Sequence, residues 1–470
     1  MYNQLRHRSC MALVLAFALG SCGGGGSSAG GVQTAPSPSP SPSPSPSPSP
    51  SPSPTSSAGV SYIHAFGTTT GSANQPRGPL LLASDGNFYG ITVSGGTNGC
   101  FERIESCGTI FRMTPQGTVT LLHAFGASPT DGFVPSAPLI QASDGAIYGV
   151  TTSGGRGGFG TVFRITLDGA YSQLHSFGMS PGDGKLPRGA LLEGRDGNLY
   201  GATLAGGTGP CPLTRDDCGT AFRISKSGND YRQLYSFGAF EGDAERPNGA
   251  FIQTADGNLL GTSAGGGVRN CSNVPGIFGC GTVFRMTPGG VVTVLYAFGG
   301  TVAGDGAQPE GPLTPGGDGF FYGTTIAGGR FGGCAEMAGC GTVFRMSAAG
   351  TVNVLYAFVP PPPVGSSPTP DGYSPGAYLL RARDGNFYGV TASETGAPTV
   401  RTGTIFRITP AGVKTTLFSF GPVDVNPAEP HGGLVQAPDG SFYGVTLTSG
   451  TLGRVGAREG RGTVFRMVLP

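Results

Sequence analysis

The chain has 470 residues, a formal net charge of +1 and no tryptophan. Only 12% of its residues are charged, about half the roughly 25% usual in soluble domains. That balance gives no electrostatic case for nucleic acid or for an anionic membrane surface, and no nucleic-acid partner is expected. Glycine (87) and proline (40) together reach about a quarter of the chain, a share that marks low complexity when it lacks periodicity. Here most glycines recur at fixed places between apolar runs and read as turns.

Residues 1–21 read as a processing signal. Arg6 and Arg8 form a basic start, and the apolar run 11–19 is too short to span a membrane, which needs about 20 residues. Leu19-Gly20-Ser21-Cys22 resembles the lipobox of bacterial lipoproteins. That resemblance implies cleavage before Cys22 and acylation of its thiol and new amino group. Several acyl chains on one residue anchor stably where one would not. Gly23 after the cysteine implies, by the same resemblance, the outer membrane. Residues 22–57 then form a tether. Its strict Ser-Pro alternation from Pro36 to Pro54 favours extended polyproline II, with no apolar content to bury.

Residues 58–470 repeat one unit seven times. Asp-Gly followed by an apolar strand recurs at Asp85, Asp144, Asp196, Asp256, Asp318, Asp384 and Asp439, at intervals of 52–66 residues. Gly-Thr-apolar-Phe-Arg follows, with arginines at Arg112, Arg164, Arg223, Arg285, Arg345, Arg407 and Arg466. A strand ending in Phe comes next, at Phe66, Phe125, Phe177, Phe237, Phe298, Phe358 and Phe420. A Pro two residues before a small residue opens the next unit, as in Pro187-Arg188-Gly189 and Pro247-Asn248-Gly249.

Each unit predicts four short strands: in the second, A at 139–141, B at 147–151, C at 161–166 and D at 172–177. Asp144-Gly145 and Asp168-Gly169 supply hairpin turns. Strand D, such as Val294-Leu295-Tyr296-Ala297-Phe298, is apolar at every position and predicts a strand covered on both faces. Four strands at this period predict an all-β, seven-bladed β-propeller. The body opens with a lone D strand (61–66) and ends with a lone C strand (463–468), so the N-terminal strand can close the last blade and hide an edge. A β-solenoid is the rival.

Asp384-Gly385-Asn386-Phe387-Tyr388-Gly389 and Gly281-Thr282-Val283-Phe284-Arg285-Met286-Thr287-Pro288 resemble the GloVer tandem repeat of "choice-of-anchor" bacterial surface proteins. The resemblance covers the whole body. It implies export and surface anchoring, and no particular activity.

Eight cysteines of the body fall in pairs within B–C loops: Cys100 and Cys107, Cys211 and Cys218, Cys271 and Cys280, Cys334 and Cys340. Units two, six and seven lack both members, which predicts a disulfide within each loop, in an oxidising compartment. No histidine accompanies the pairs, and no metal site is expected.

His64, His123 and His175 stand where other units have Tyr235, Tyr296, Tyr356 and Phe418, and read as structural aromatics. His431 has no counterpart and reads as a loop residue. The seven arginines predict pairing with turn carboxylates or with carbonyls between blades, with an anion-binding ring as the functional alternative. Asp131, Asp183, Asp243, Asp305 and Asp371 mark a second acidic turn, where calcium is the one cofactor that clustered oxygens could take.

A–B and C–D turns are short and uniform. B–C loops vary from 153–160 to 264–281, and the D–A loop 359–370 is uniquely proline-rich. Variation therefore gathers on one face, where binding surfaces are usually built. Candidates there are Phe101, Glu102, Arg103, Arg215, Asp216, Asp217, Arg401 and Arg458. With no catalytic constellation legible, a lipid-anchored, monomeric surface module for glycan or protein is expected. An extracellular lyase or hydrolase on the same face is the alternative, favoured if unique acid–base residues gather at the axis; an architectural envelope role is the third.

Overall fold

The structure is a computed structural model. It describes residues 59–67, 73–96, 107–211, 218–267, 279–300, 304–329, 339–359, 371–394, 401–420, 428–448 and 461–469. The chain divides into two units, Met1–Thr55 and Ser56–Pro470. The first lies outside the described residues, together with Cys22 and the tether, and the second is the fold below.

That unit is a seven-bladed β-propeller of antiparallel sheets, each of four strand positions. The repeat explains why. In blade 2 the Gly145 N–H donates to the Ala142 carbonyl, and the Ala142 N–H to the Ala146 carbonyl. The Asp144 carboxylate accepts the Ala146 N–H at 3.1 Å, and Gly145 takes φ 78°. This is a three-residue loop, a type I turn completed by a left-handed glycine, which joins strands A and B in register. Strands B and C are then zipped by a buried hydroxyl pair, Thr151 to Thr161 at 2.8 Å. The same pair recurs from Thr92–Thr109 at 2.7 Å to Thr446–Thr463 at 2.7 Å.

Two strand expectations are corrected. Strand A is longer than 139–141. In blade 2 it comprises Gly132–Pro135 and Ile140–Gln141, both paired to Ile147–Gly154. The break has a recurrent cause: the residue before its proline takes positive φ in every blade, at Gln75, Val134, Leu186, Arg246, Gln308, Ser374 and Glu429. Such a conformation costs energy outside glycine. A hydrogen bond to the preceding blade offsets it: the Val134 N–H donates to Cys107, Leu186 to Phe159, Arg246 to Cys218 and Gln308 to Cys280, at 2.7–2.9 Å. Strand D, in turn, is not covered on both faces. Val292–Ala297 is only half-buried, and Leu121 and Val354 are exposed. It is the outer edge of its blade; the buried strands are B and C, as in Ile147–Gly154 and Thr161–Ile165.

Closure follows the predicted phase. Gly59–Ala65 pairs antiparallel with Thr463–Val468, Gly59 opposite Val468 and Ala65 opposite Thr463. It is strand D of blade 7, whose A and B are Ala428–Gln436 and Phe442–Thr448. The core is not one mass but seven apolar layers between neighbouring blades. Tyr89, Ile110 and Phe125 of blade 1 meet Leu139, Ile147 and Phe163 of blade 2. The last layer joins Tyr443 and Val464 of blade 7 to Phe88 and Phe111 of blade 1. These separate, ring-closed blades exclude the solenoid.

Candidate functional site at the propeller axis

The innermost strands converge where the chain passes from the recurrent proline of strand A to the small residue two positions on. A side chain at Gly189 would lie 2.8 Å from the Gly249 carbonyl, and one at Gly249 would lie 2.8 Å from that of Gly311. One at Gly311 would collide with the Ala377 carbonyl, and one at Gly432 with the backbone of Gly78. The residue between proline and small residue therefore stands at the axis in each blade. These residues are Arg77, Ser136, Arg188, Asn248, Glu310, Gly376 and His431. Within the repeated strands this position changes chemistry from blade to blade, whereas the proline before it recurs.

Their charges feel one another across blades. Burial pushes the Glu310 carboxyl up, against the pull of Arg188, Arg246 and Arg77. Burial lowers the Arg77 guanidinium, and Arg188 lowers it further. His431 is driven down to about 3 by burial, with Arg77 and Arg188 adding to it, so its imidazole is neutral at neutral pH. Arg77 Nε and His431 Nδ1 are buried without a hydrogen-bond partner among the described residues. Two positions further along strand A, towards the A–B turns, stand Pro79, Pro138, Ala190, Ala250, Pro312, Tyr378 and Gly433. Only Tyr378 is polar. It packs over Gly433, and burial and the Glu310 charge raise its phenol.

The repeated arginines and aspartates occupy other places. Arg164 Nε lies 3.7 Å from Asp144, and Arg466 is 2.9 Å from Asp439, each within its own blade rather than between blades. The same turn carboxylates accept the hydroxyls of Tyr89, Tyr148, Tyr200, Tyr322 and Tyr388 at 2.6–2.9 Å. Where Leu260 replaces this tyrosine, Asp256 is held by Asn258 instead, and Arg285 of that blade is exposed. Arg223 turns to Asp230 at 2.6 Å, and Arg345 lies 4.8 Å over the Phe320 ring.

The second set of carboxylates faces inward to N–H donors. Asp183 accepts from the backbones of Gly178, Met179 and Gly184, and Asp131 from Gly126, Ala127 and Gly132. His123 stacks on Tyr171 with centroids 3.8 Å apart and lies 3.6 Å from Asp131; His175 stacks on Tyr231 at 3.7 Å. Where tyrosine replaces these histidines, its own hydroxyl binds the carboxylate, Tyr235 to Asp243 and Tyr356 to Asp371. Asp371 also takes the ammonium of Lys414, which is 4% exposed.

Cys211 and Cys218 form a disulfide with Cα atoms 5.7 Å apart. Cys107, Cys280 and Cys340 are also disulfide-bonded, while Cys100, Cys271 and Cys334 lie outside the described residues. So do Phe101, Glu102, Arg103, Arg215, Asp216, Asp217 and Arg458. Arg401 opens the strand Arg401–Ile408, and its side chain is likewise outside them. One expectation is corrected outright: His431 is not a loop residue. It sits on Ala428–Gln436, opposite Val445, at the axis. In the sequence the axial residues are marked only as the position that varies between a recurrent proline and a small residue. The varying middle position was the signal.

Among solved structures the chain is similar to a polysaccharide lyase (12% identity, TM-score 0.47, covering 86% of this chain and 92% of that one). It is similar also to an α-L-arabinanase of Penicillium chrysogenum (11%, 0.43, 88% and 98%) and to a Dyadobacter fermentans protein of unknown function (13%, 0.43, 87% and 98%). At such identities and TM-scores these likenesses assign no chemistry to this chain. None of the curated proteins matches it. The repeat itself is recognised along the body: the Gloeobacter/Verrucomicrobia repeat matches residues 53–275, 213–369 and 276–470, and the chain belongs to that family.

Proposed function

We propose that this is a lipid-anchored extracytoplasmic binding protein whose propeller takes its ligand, a glycan, at the axis from the side of the B–C and D–A loops. One observation carries the reading. Positions that hold the repeat together keep their residue in nearly every blade, whereas the axial position holds Arg, Ser, Arg, Asn, Glu, Gly and His in turn. A position freed from the repeat and filled with different polar groups is what an asymmetric ligand requires. The turn side of that ring is lined by Pro, Ala, Gly and one Tyr, which favours entry from the loop side. A glycan array probed with the full-length protein and with Asn248→Ala tests this. Binding that the axial substitution weakens is expected; binding indifferent to it would place the site elsewhere.

The anchor is the second half of the proposal. Cys22→Ser should move the protein from the membrane to the soluble fraction, and unchanged membrane association would remove the lipid from the account.

A catalytic reading is favoured by one further feature: the axial ring holds both a carboxyl pushed up (Glu310) and an imidazole held neutral (His431), each an electrostatic neighbour of Arg77 and Arg188, and acid–base chemistry uses groups displaced in this way. An activity screen on polysaccharides in which Glu310→Gln abolishes turnover would establish it.

A further inference from the structure

We propose that the axial ring is an anion site, in which Arg77 and Arg188 bind the carboxylate of an acidic sugar. This rests on the ring being the ligand site.

The charge inventory is the first support. The ring itself holds two arginines, Arg77 and Arg188, and one carboxylate, Glu310; outside it, Arg246 and the buried Glu429 stand at the same position, before the prolines of their blades. Ser136, Asn248 and Gly376 carry no charge, and His431 adds none while neutral. The ring therefore holds an excess of positive charge in a confined space, where like charges oppose each other more strongly than in water. An anion of the ligand relieves that opposition.

Unused hydrogen-bonding capacity is the second. Buried polar atoms are nearly always paired, yet among the described residues Arg77 Nε and His431 Nδ1 are not, and the ring shares this with the Nε atoms of Arg223, Arg345 and Arg407 on strand C. Arg188, from another blade, is exposed and is an electrostatic neighbour of both residues. A guanidinium whose Nε–H has no partner among the described residues offers a carboxylate a charge-assisted donor, and the second guanidinium of the same ring adds to its attraction.

The third is contrast within the molecule. Arg164 and Arg466 are matched to Asp144 and Asp439 of their own blades. The axial arginines stand where other blades place Ser, Asn or Gly, so no demand of the repeat accounts for them. The sugar follows from the reading of the ring as a glycan site; Tyr378, an electrostatic neighbour of Glu310, is the one polar aromatic residue in the next layer of strand A.

The test is calorimetric titration of the full-length protein in a non-ionic detergent, at low and high salt, with glucuronate, galacturonate, inorganic sulfate, inorganic phosphate and glucose. Uronates should bind, more weakly as salt rises, and glucose should not. Arg77→Gln and Arg188→Gln should each weaken uronate binding about tenfold or more. Arg285→Gln, which removes an exposed arginine of strand C, should leave it unchanged. Melting curves of the variants separate lost binding from lost folding, and Arg188, being exposed, is the safer probe. Equal binding of glucose and glucuronate, or uronate binding unaffected by both axial substitutions, would overturn the inference. Sulfate or phosphate binding without uronate binding would overturn the sugar. A neutral glycan whose binding is lost in Arg188→Gln would leave the ligand site standing and remove only the anion.

Discussion

At the scale of single residues the molecule holds two kinds of polar group, and their surroundings tell them apart. Asp144 is saturated: it accepts the Tyr148 hydroxyl at 2.8 Å and the Ala146 N–H, and faces Arg164. Hydrogen bonds hold its carboxyl below the usual range despite burial. Asp144→Asn should cost about 1 kcal/mol, because the group is partly exposed; a denaturant midpoint equal to that of the parent would contradict the role. His431 is the opposite case: its Nδ1 is buried with no partner among the described residues. Its folded value of about 3 lies below an unfolded value near 6.5. Between those values the unfolded chain binds more protons, so the stability that this neutral imidazole supports is complete above the upper value. It is lost as pH falls towards the lower one. Glu310, pushed up by burial, contributes the reverse slope above its unfolded value of about 4.3. His431→Gln should therefore flatten the acid limb of a stability-against-pH curve; an unchanged limb would show that another group sets it.

At the scale of elements, the decisive strand is the one furthest from its sheet in sequence. Gly59–Ala65 completes the sheet that Thr463–Val468 leaves open, and it carries Phe66 into the layer with Phe111 and Val464. Removing its ladder exposes an edge and loosens the junction of blades 7 and 1 together. Prolines at both Ser61 and Tyr62 should destabilise the body by roughly 3 kcal/mol, at the upper end of ordinary single-site effects. Proteolysis should then begin at that junction; cleavage no faster than in the parent would mean that the ring closes by other contacts. The aromatic exchange along strand D belongs to this scale too. His123 with Tyr171, Tyr235 alone, and Tyr356 with Lys414 are three ways of satisfying one buried carboxylate.

At the scale of the whole molecule, seven backbones must meet round one axis, and that requirement selects the small residues there. Gly311→Ala would press a methyl into the Ala377 carbonyl and should cost roughly 1–3 kcal/mol as an overpacked site does. A melting temperature equal to the parent's would mean that the ring is slacker than its backbone contacts indicate. The same convergence gathers Arg77, Arg188, Glu310 and His431 from four blades, residues separated by as many as 354 positions (77 to 431).

The sequence by itself determined the number of blades, their phase and the strand that closes them, because each depends on local signals that recur: Asp-Gly turns, alternation and a lone strand at either end. It separated structural histidines from others because the repeat supplied its own comparison, with tyrosine standing at the same place. It could not determine which face of strand A looks inward, nor that strand A continues across a left-handed residue, because Val134 and Leu186 carry no local mark of that conformation. The axial site was decided only by the closed ring. Arg77, Arg188, Glu310 and His431 come from four different blades, and they become neighbours only once seven blades have been brought round a common centre.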